Sequence, residues 1–97
     1  MVIIESATGM NVKMMIAALK ILILEDDEAD AEILQRLLKK HGAGYIFKLV
    51  MNRNDYIRAL HEFIPDIVIS DNALPQFSAT EALEILKQQQ LKIPFIG

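Results

Sequence analysis

The chain has 97 residues, 53% of them hydrophobic and 24% charged, with 13 acidic against 10 basic residues and a net charge of -3. That balance suits one globular domain with little spare core, and it argues against a disordered tail or a clustered basic grip on nucleic acid. No cysteine is present, which excludes disulfide frameworks, zinc-thiolate sites and thiol catalysis and fits a reducing cytoplasmic setting.

Residues 1–19 stand outside the regular pattern that follows. Within them, 2–6 (VIIES) suits a strand and 11–19 (NVKMMIAAL) a helix. The apolar run 14–24 follows Lys13 in the manner of a secretory leader. However, Lys20 interrupts it, no small-residue cleavage site follows, and it is too short to span a bilayer. It reads as a short helix running into a buried strand, with no membrane insertion. We therefore divide the chain into an N-terminal extension, 1–19, and a domain, 20–97.

The domain alternates strand and helix. Ile21 to Leu24 is a continuous apolar run bounded by acids, as expected of a strand covered on both faces. From Glu28 to His41, Ile33, Leu34, Leu37 and Leu38 recur at helical spacing. Acids crowd the first turn of this helix and Lys39, Lys40 and His41 the last, as the helix dipole favours. Gly42 is placed to stop the helix. Residues 45–51 (YIFKLVM) predict a second strand, and Asn54 a cap for a helix from Asp55 to Phe63 that Pro65 ends. Residues 66–70 (DIVIS) predict a third strand. Ser78 and Glu81 form a capping-box pattern, opening a helix with Ala82, Leu83, Ile85 and Leu86 inward. Residues 92–97 (KIPFIG) begin a fourth strand. The order β-α-β-α-β-α-β predicts a doubly wound parallel sheet with helices on both faces.

Ligands of such sheets bind beyond the carboxyl ends of the strands, where the strand order reverses. The first strand ends in Glu25-Asp26-Asp27 and the third in Asp71. Neighbouring strands would bring these acids together, raising their pKa values and costing stability. A hard divalent cation relieves that repulsion, and Mg²⁺ takes one or two carboxylates plus a phosphoryl oxygen. Asp71, fixed on a strand end, is the better aspartyl nucleophile, with Glu25 and Asp26 holding metal. Asp27 and Glu28 need no role beyond a helix N-terminus. No Gly-rich phosphate loop follows the first strand, which argues against nucleotide-binding versions of the fold.

The stretches 20–34 (KILILEDDEADAEIL), 65–77 (PDIVISDNALPQF) and 93–97 (IPFIG) closely resemble a response-regulator receiver domain, the phosphoacceptor module of two-component signalling. The resemblance runs from Lys20 to Gly97. It implies a flavodoxin-like fold, incomplete here, and a phosphorelay role regulating a partner by conformational switching. It implies that Asp71 accepts a phosphoryl group from a sensor histidine kinase or phosphotransfer protein. By the same resemblance Asp26 is the direct Mg²⁺ ligand, Glu25 completes the acidic pocket, through water if not directly, and the backbone carbonyl of Ala73 is a further ligand. Leu74-Pro75 leads the chain away from the site.

This sequence departs from the pattern in two ways. The family usually has a glycine near Ala79, and residues 76–80 (QFSAT) here hold none. The pattern also calls for a hydroxyl residue ending strand four and a lysine ending strand five, both beyond Gly97, so the domain is expected to lack its C-terminal elements. Residues 2–20 themselves resemble the family's fourth strand and following helix, with Ser6 at the hydroxyl's place. A rearranged element of that kind predicts residues 2–6 pairing beside the third strand. Two other functions compete. A Mg²⁺-dependent hydrolase would need a second acid soon after Asp71, but none precedes Glu81. A receiver-like interaction module, forming a homodimer without phosphotransfer, would use uncovered apolar surface.

Overall fold

The computed structural model describes residues 19–42, 44–71 and 77–97. Its elements are β1 (Lys20–Leu24), α1 (Glu28–His41), β2 (Ile46–Val50), α2 (Arg53–Glu62), β3 (Ile67–Ser70), α3 (Ala79–Gln88) and β4 (Phe95–Ile96). The strands form one parallel four-stranded sheet in the order β2-β1-β3-β4. This is the flavodoxin-like topology expected from the alternation, with a strand-order reversal at β1. The extension 1–18 lies outside the described residues. The strand 2–6 that a rearranged element would place beside the third strand falls within that extension; among the described residues β3 pairs with β1 and β4.

Strand register sorts the side chains by face, because alternate residues point to opposite sides. Leu22, Leu24, Val50 and Val68 point to the α2–α3 side. There they meet Tyr56, Ala59 and Leu60 of α2, Phe77, and Ala82, Ile85 and Leu86 of α3, in one buried cluster. Burying each such aliphatic side chain contributes roughly 1.5–3 kcal/mol, which makes this layer the main source of stability. On the other side, Ile21 and Ile23 of β1 are fully buried. α1 covers that side, although only Ala31 of α1 is itself buried.

Helical spacing in the sequence marks apolar residues without saying which are covered. Ile33 and Leu37 of α1 are about half exposed, and Leu83 of α3 is also on the surface rather than inward. The cap of α2 is Asn52, not Asn54. Its side-chain oxygen accepts from Asp55 N at 2.9 Å, while its amide donates to Asp55 Oδ2 at 3.0 Å. Asn52 precedes Asp55 by the three residues that this bond needs, and Asn54 is already helical. α2 ends at Glu62, before Pro65, and Ile64 takes a left-handed φ of 51° at the turn. At α3 the Ser78–Glu81 capping box forms as expected. Gly42 ends α1 in extended backbone, and a Cβ there would lie 2.5 Å from the Tyr45 hydroxyl, so any other residue would displace the end of that side chain.

One buried polar contact ties the two helices of the main layer together. The Tyr56 hydroxyl donates to the Ala82 carbonyl at 2.9 Å, and the Tyr56 and Phe77 rings lie 5.4 Å apart. Burial pushes the Tyr56 phenol far above its ordinary pKa, so it remains a donor throughout the folded range. Tyr56→Phe removes that bond and keeps the ring. A loss of about 1 kcal/mol is expected, read as a lower urea midpoint at an unchanged slope.

Candidate functional site

β1 ends at Leu24, in register with Val50 of β2 and Ser70 of β3. The ladder runs one step further on each side. Glu25 N donates to the Val50 carbonyl at 3.1 Å, and Asp71 N donates to the Leu24 carbonyl at 2.9 Å. Glu25 and Asp71 are thus fixed by sheet backbone at the point where the strand order reverses. Asp26 follows on the exposed turn into α1.

These placements bring Glu25, Asp26 and Asp71 together, each with a carboxylate oxygen within 4.8 Å of the others. Asp27, although next in sequence, is turned to other use. It caps α1, its carboxylate accepting from Ala29 N at 2.8 Å and Asp30 N at 3.3 Å. Glu28 begins α1, as expected. The carbonyl of Ala73 and the Leu74-Pro75 turn lie outside the described residues. Ala79 is the first residue of α3, a position that makes no demand for glycine.

A cleft of about 250 Å³ opens at the cluster, lined by Ile23, Glu25, Asp30, Leu34, Ile69 and Asp71 among others. In the sequence Asp30 is only one of the acids expected in the first turn of α1. Its place four residues past Asp26, in the first turn of α1, is the signal that could have put it at the cleft. Another depression among the described residues, about 400 Å³ between β2 and α2, carries Lys48, Asp55, Arg58 and Glu62. Its charges are mixed, Arg58 pairs with Asp55 at 3.3 Å, and no set of like groups converges there.

The cluster is under electrostatic load. The Glu25 carboxyl sits above its ordinary pKa, first because burial disfavours its charge. A bond from Asp27 N, at 3.1 Å, works the other way. The charge of Asp71, a carboxyl–carboxyl hydrogen bond with it, and the charge of Asp30 add to the rise. A raised acid holds its proton more tightly in the folded state than in the unfolded chain. Its stabilising effect is therefore complete below the unfolded value of 4.5 and lost as pH rises through the higher folded value. Glu25→Gln is expected to flatten this part of the pH–stability curve and to raise the melting temperature slightly at neutral pH in metal-free buffer. Melts of both proteins across that window check it, and a variant less stable than wild type at neutral pH contradicts it.

The donor set fits a small hard cation. At oxygen bond lengths of 2.0–2.1 Å, octahedral ligands lie about 3 Å apart when adjacent and about 4.2 Å when opposite. Three acidic oxygens within 4.8 Å need only a modest contraction to meet that spacing. An all-oxygen set of carboxylates is the kind that Mg²⁺ takes, and the cleft leaves room for water and a further oxygen ligand.

The family model described as "Response regulator receiver domain" matches residues 21–97. A curated relative, the DNA-binding transcriptional regulator NtrC of Proteus hauseri, is 27% identical over 74 residues, 76% of this chain. The chain spans about 15% of that relative's length. Among the described residues, no helix is long and apolar enough to cross a membrane.

Proposed function

The chain belongs to the response regulator receiver domain family, and from that premise we propose that it takes a phosphoryl group on Asp71 and regulates a partner through the resulting change of state. The observation that carries this reading is the convergence of Glu25, Asp26 and Asp71 at the strand-order reversal. Receiver domains are regulatory modules, so the reaction is a modification of the domain itself rather than turnover of a substrate.

Asp71 supplies the nucleophile. One carboxylate oxygen attacks phosphorus, the new O–P bond forms, and the bond from phosphorus to the donor's imidazole nitrogen breaks. The imidazole leaves with that electron pair and is protonated by solvent. The donor is then a phosphohistidine, on a sensor histidine kinase or a phosphotransfer protein. Asp71 is held for this by its backbone bond to Leu24, which fixes the strand end that carries it. Mg²⁺, held by Asp26 and Asp71 with Glu25 beside them, would neutralise charge on the transferring phosphoryl group. The remaining protein ligand proposed is the Ala73 carbonyl. A partner responds only if phosphorylation stabilises one of two states differently.

The test is incubation with acetyl phosphate and Mg²⁺, read by intact mass. One phosphoryl increment, stable in acid and lost in base, is expected, and chelation should prevent it. An unmodified, folded chain would favour the interaction module without phosphotransfer. Release of phosphate from added phosphomonoesters would favour the hydrolase.

A further inference from the structure

β2 is an edge strand of the sheet, and among the described residues it pairs with β1 alone. Chain that follows β4 leaves from the opposite edge. The ladder with β1 shows which backbone groups of β2 are already used. Ile46 N donates to the Leu19 carbonyl at 2.9 Å, and the Val50 carbonyl accepts from Glu25 N at 3.1 Å. Backbone groups alternate in direction along a strand, so those of Ile46, Lys48 and Val50 face β1 and those of Tyr45, Phe47 and Leu49 face outward. The strand is also apolar. Between Tyr45 and Met51 the one charged residue is Lys48, while Ile46 is 47% exposed and Met51 37%. A single lysine thus interrupts an edge that is otherwise a template for another strand.

Two charges restrict what can pair there. Lys48 and Glu62 both line the cleft between β2 and α2, and both are exposed. Among the described residues neither is in an ion pair, whereas Arg58 and Asp55 in the same cleft hold each other at 3.3 Å. α2 runs back against the strand direction, so Glu62, its last residue, lies at the foot of the sheet. Phe63 follows it there, with the Lys20 ammonium 5.8 Å from the centre of its ring, and Lys20 is the register partner of Ile46. Glu62 therefore sits at the Ile46 end of β2, below Lys48.

We propose that a second copy of this chain pairs with this edge, β2 against β2 and antiparallel, with the two-fold axis at Phe47. In that register Phe47 meets the partner's Phe47 and Tyr45 meets the partner's Leu49, so the outward backbone groups bond to one another. On the α2 side, Ile46 faces the partner's Lys48. Each Lys48 is thereby carried to the other chain's Ile46 end, where Glu62 has the opposite charge. An axis at Lys48 would instead set like charges directly opposite, which cross-strand pairing disfavours. The two-fold contact closes on itself and stops at two copies. This inference does not depend on phosphoryl transfer to Asp71.

The test measures association of the full chain by sedimentation across concentrations, together with Lys48→Glu and Glu62→Lys, both at exposed positions outside the carboxylate cluster. The wild type should dimerise, and dimer formation should protect the Phe47 and Leu49 amides from hydrogen exchange. Either variant alone sets like charges together at both ends of the paired strands and should associate about tenfold more weakly. An equal mixture of the two variants should regain wild-type affinity as a heterodimer, because every charge then meets its opposite. A pair formed within one chain cannot produce that rescue. A monomer at every concentration would overturn the proposal, as would Phe47 and Leu49 amides protected independently of concentration. A mixture that associates no more tightly than the separate variants would also overturn it.

Discussion

Asp71→Asn is expected to leave the folded chain unable to take up a phosphoryl group, the adduct falling from the main species to below detection. The reason is electronic rather than steric. The amide is nearly isosteric with the carboxylate, and the backbone bond from residue 71 N to the Leu24 carbonyl does not involve the side chain. What is lost is the anionic oxygen that attacks phosphorus. A folding defect and a chemical defect separate cleanly here. Asp71 contributes charge and a hydrogen bond that raise the Glu25 pKa. Removing that charge relieves repulsion, so the variant should melt no lower than wild type in metal-free buffer. Loss of the adduct together with a retained melting temperature supports the nucleophile assignment. An undiminished adduct on the variant would assign the chemistry elsewhere.

The second large effect is structural. Leu22 is completely buried at the middle of β1, between Lys48 of β2 and Val68 of β3, and points into the main cluster. Leu22→Ala is expected to cost about 2–5 kcal/mol through lost transfer energy and the cavity left behind. Small domains have only about 5–15 kcal/mol in total, so the variant should lose a large part of its urea midpoint. Ile33→Ser, at a position 56% exposed on α1, should change stability by no more than about 0.5 kcal/mol. Comparable losses at the two positions would contradict the assignment of the core to the α2–α3 side.

The element order was legible because strand-length apolar runs alternate with helical stripes, and sheet topology follows from that alternation. Asp26 and Asp71 were legible for a related reason: both end strands that the topology makes neighbours. What sequence could not separate was coverage. Leu22 and Leu37 look alike in an apolar pattern, yet one is at the centre of the sheet and the other is half exposed on α1. Nor could it choose between Asn52 and Asn54 as the α2 cap, since both are sound cap residues. The choice is made by the bond to Asp55 N. The load on Glu25 was only partly visible. Convergence with Asp71 across the sheet was expected from the strand ends, but burial, the first cause of its raised pKa, and the charge of Asp30, in the first turn of α1, were not. Asp27, two residues on, lowers it instead through its backbone N–H.

The most direct test of the central claim is to locate the phosphoryl group. The full chain is treated with acetyl phosphate and Mg²⁺, the acyl phosphate is reduced with borohydride, and peptides are sequenced by mass. Conversion to homoserine at Asp71 alone is the result expected. Conversion at Glu25, Asp26 or another acid, or none on a folded Mg²⁺-loaded chain, would contradict it.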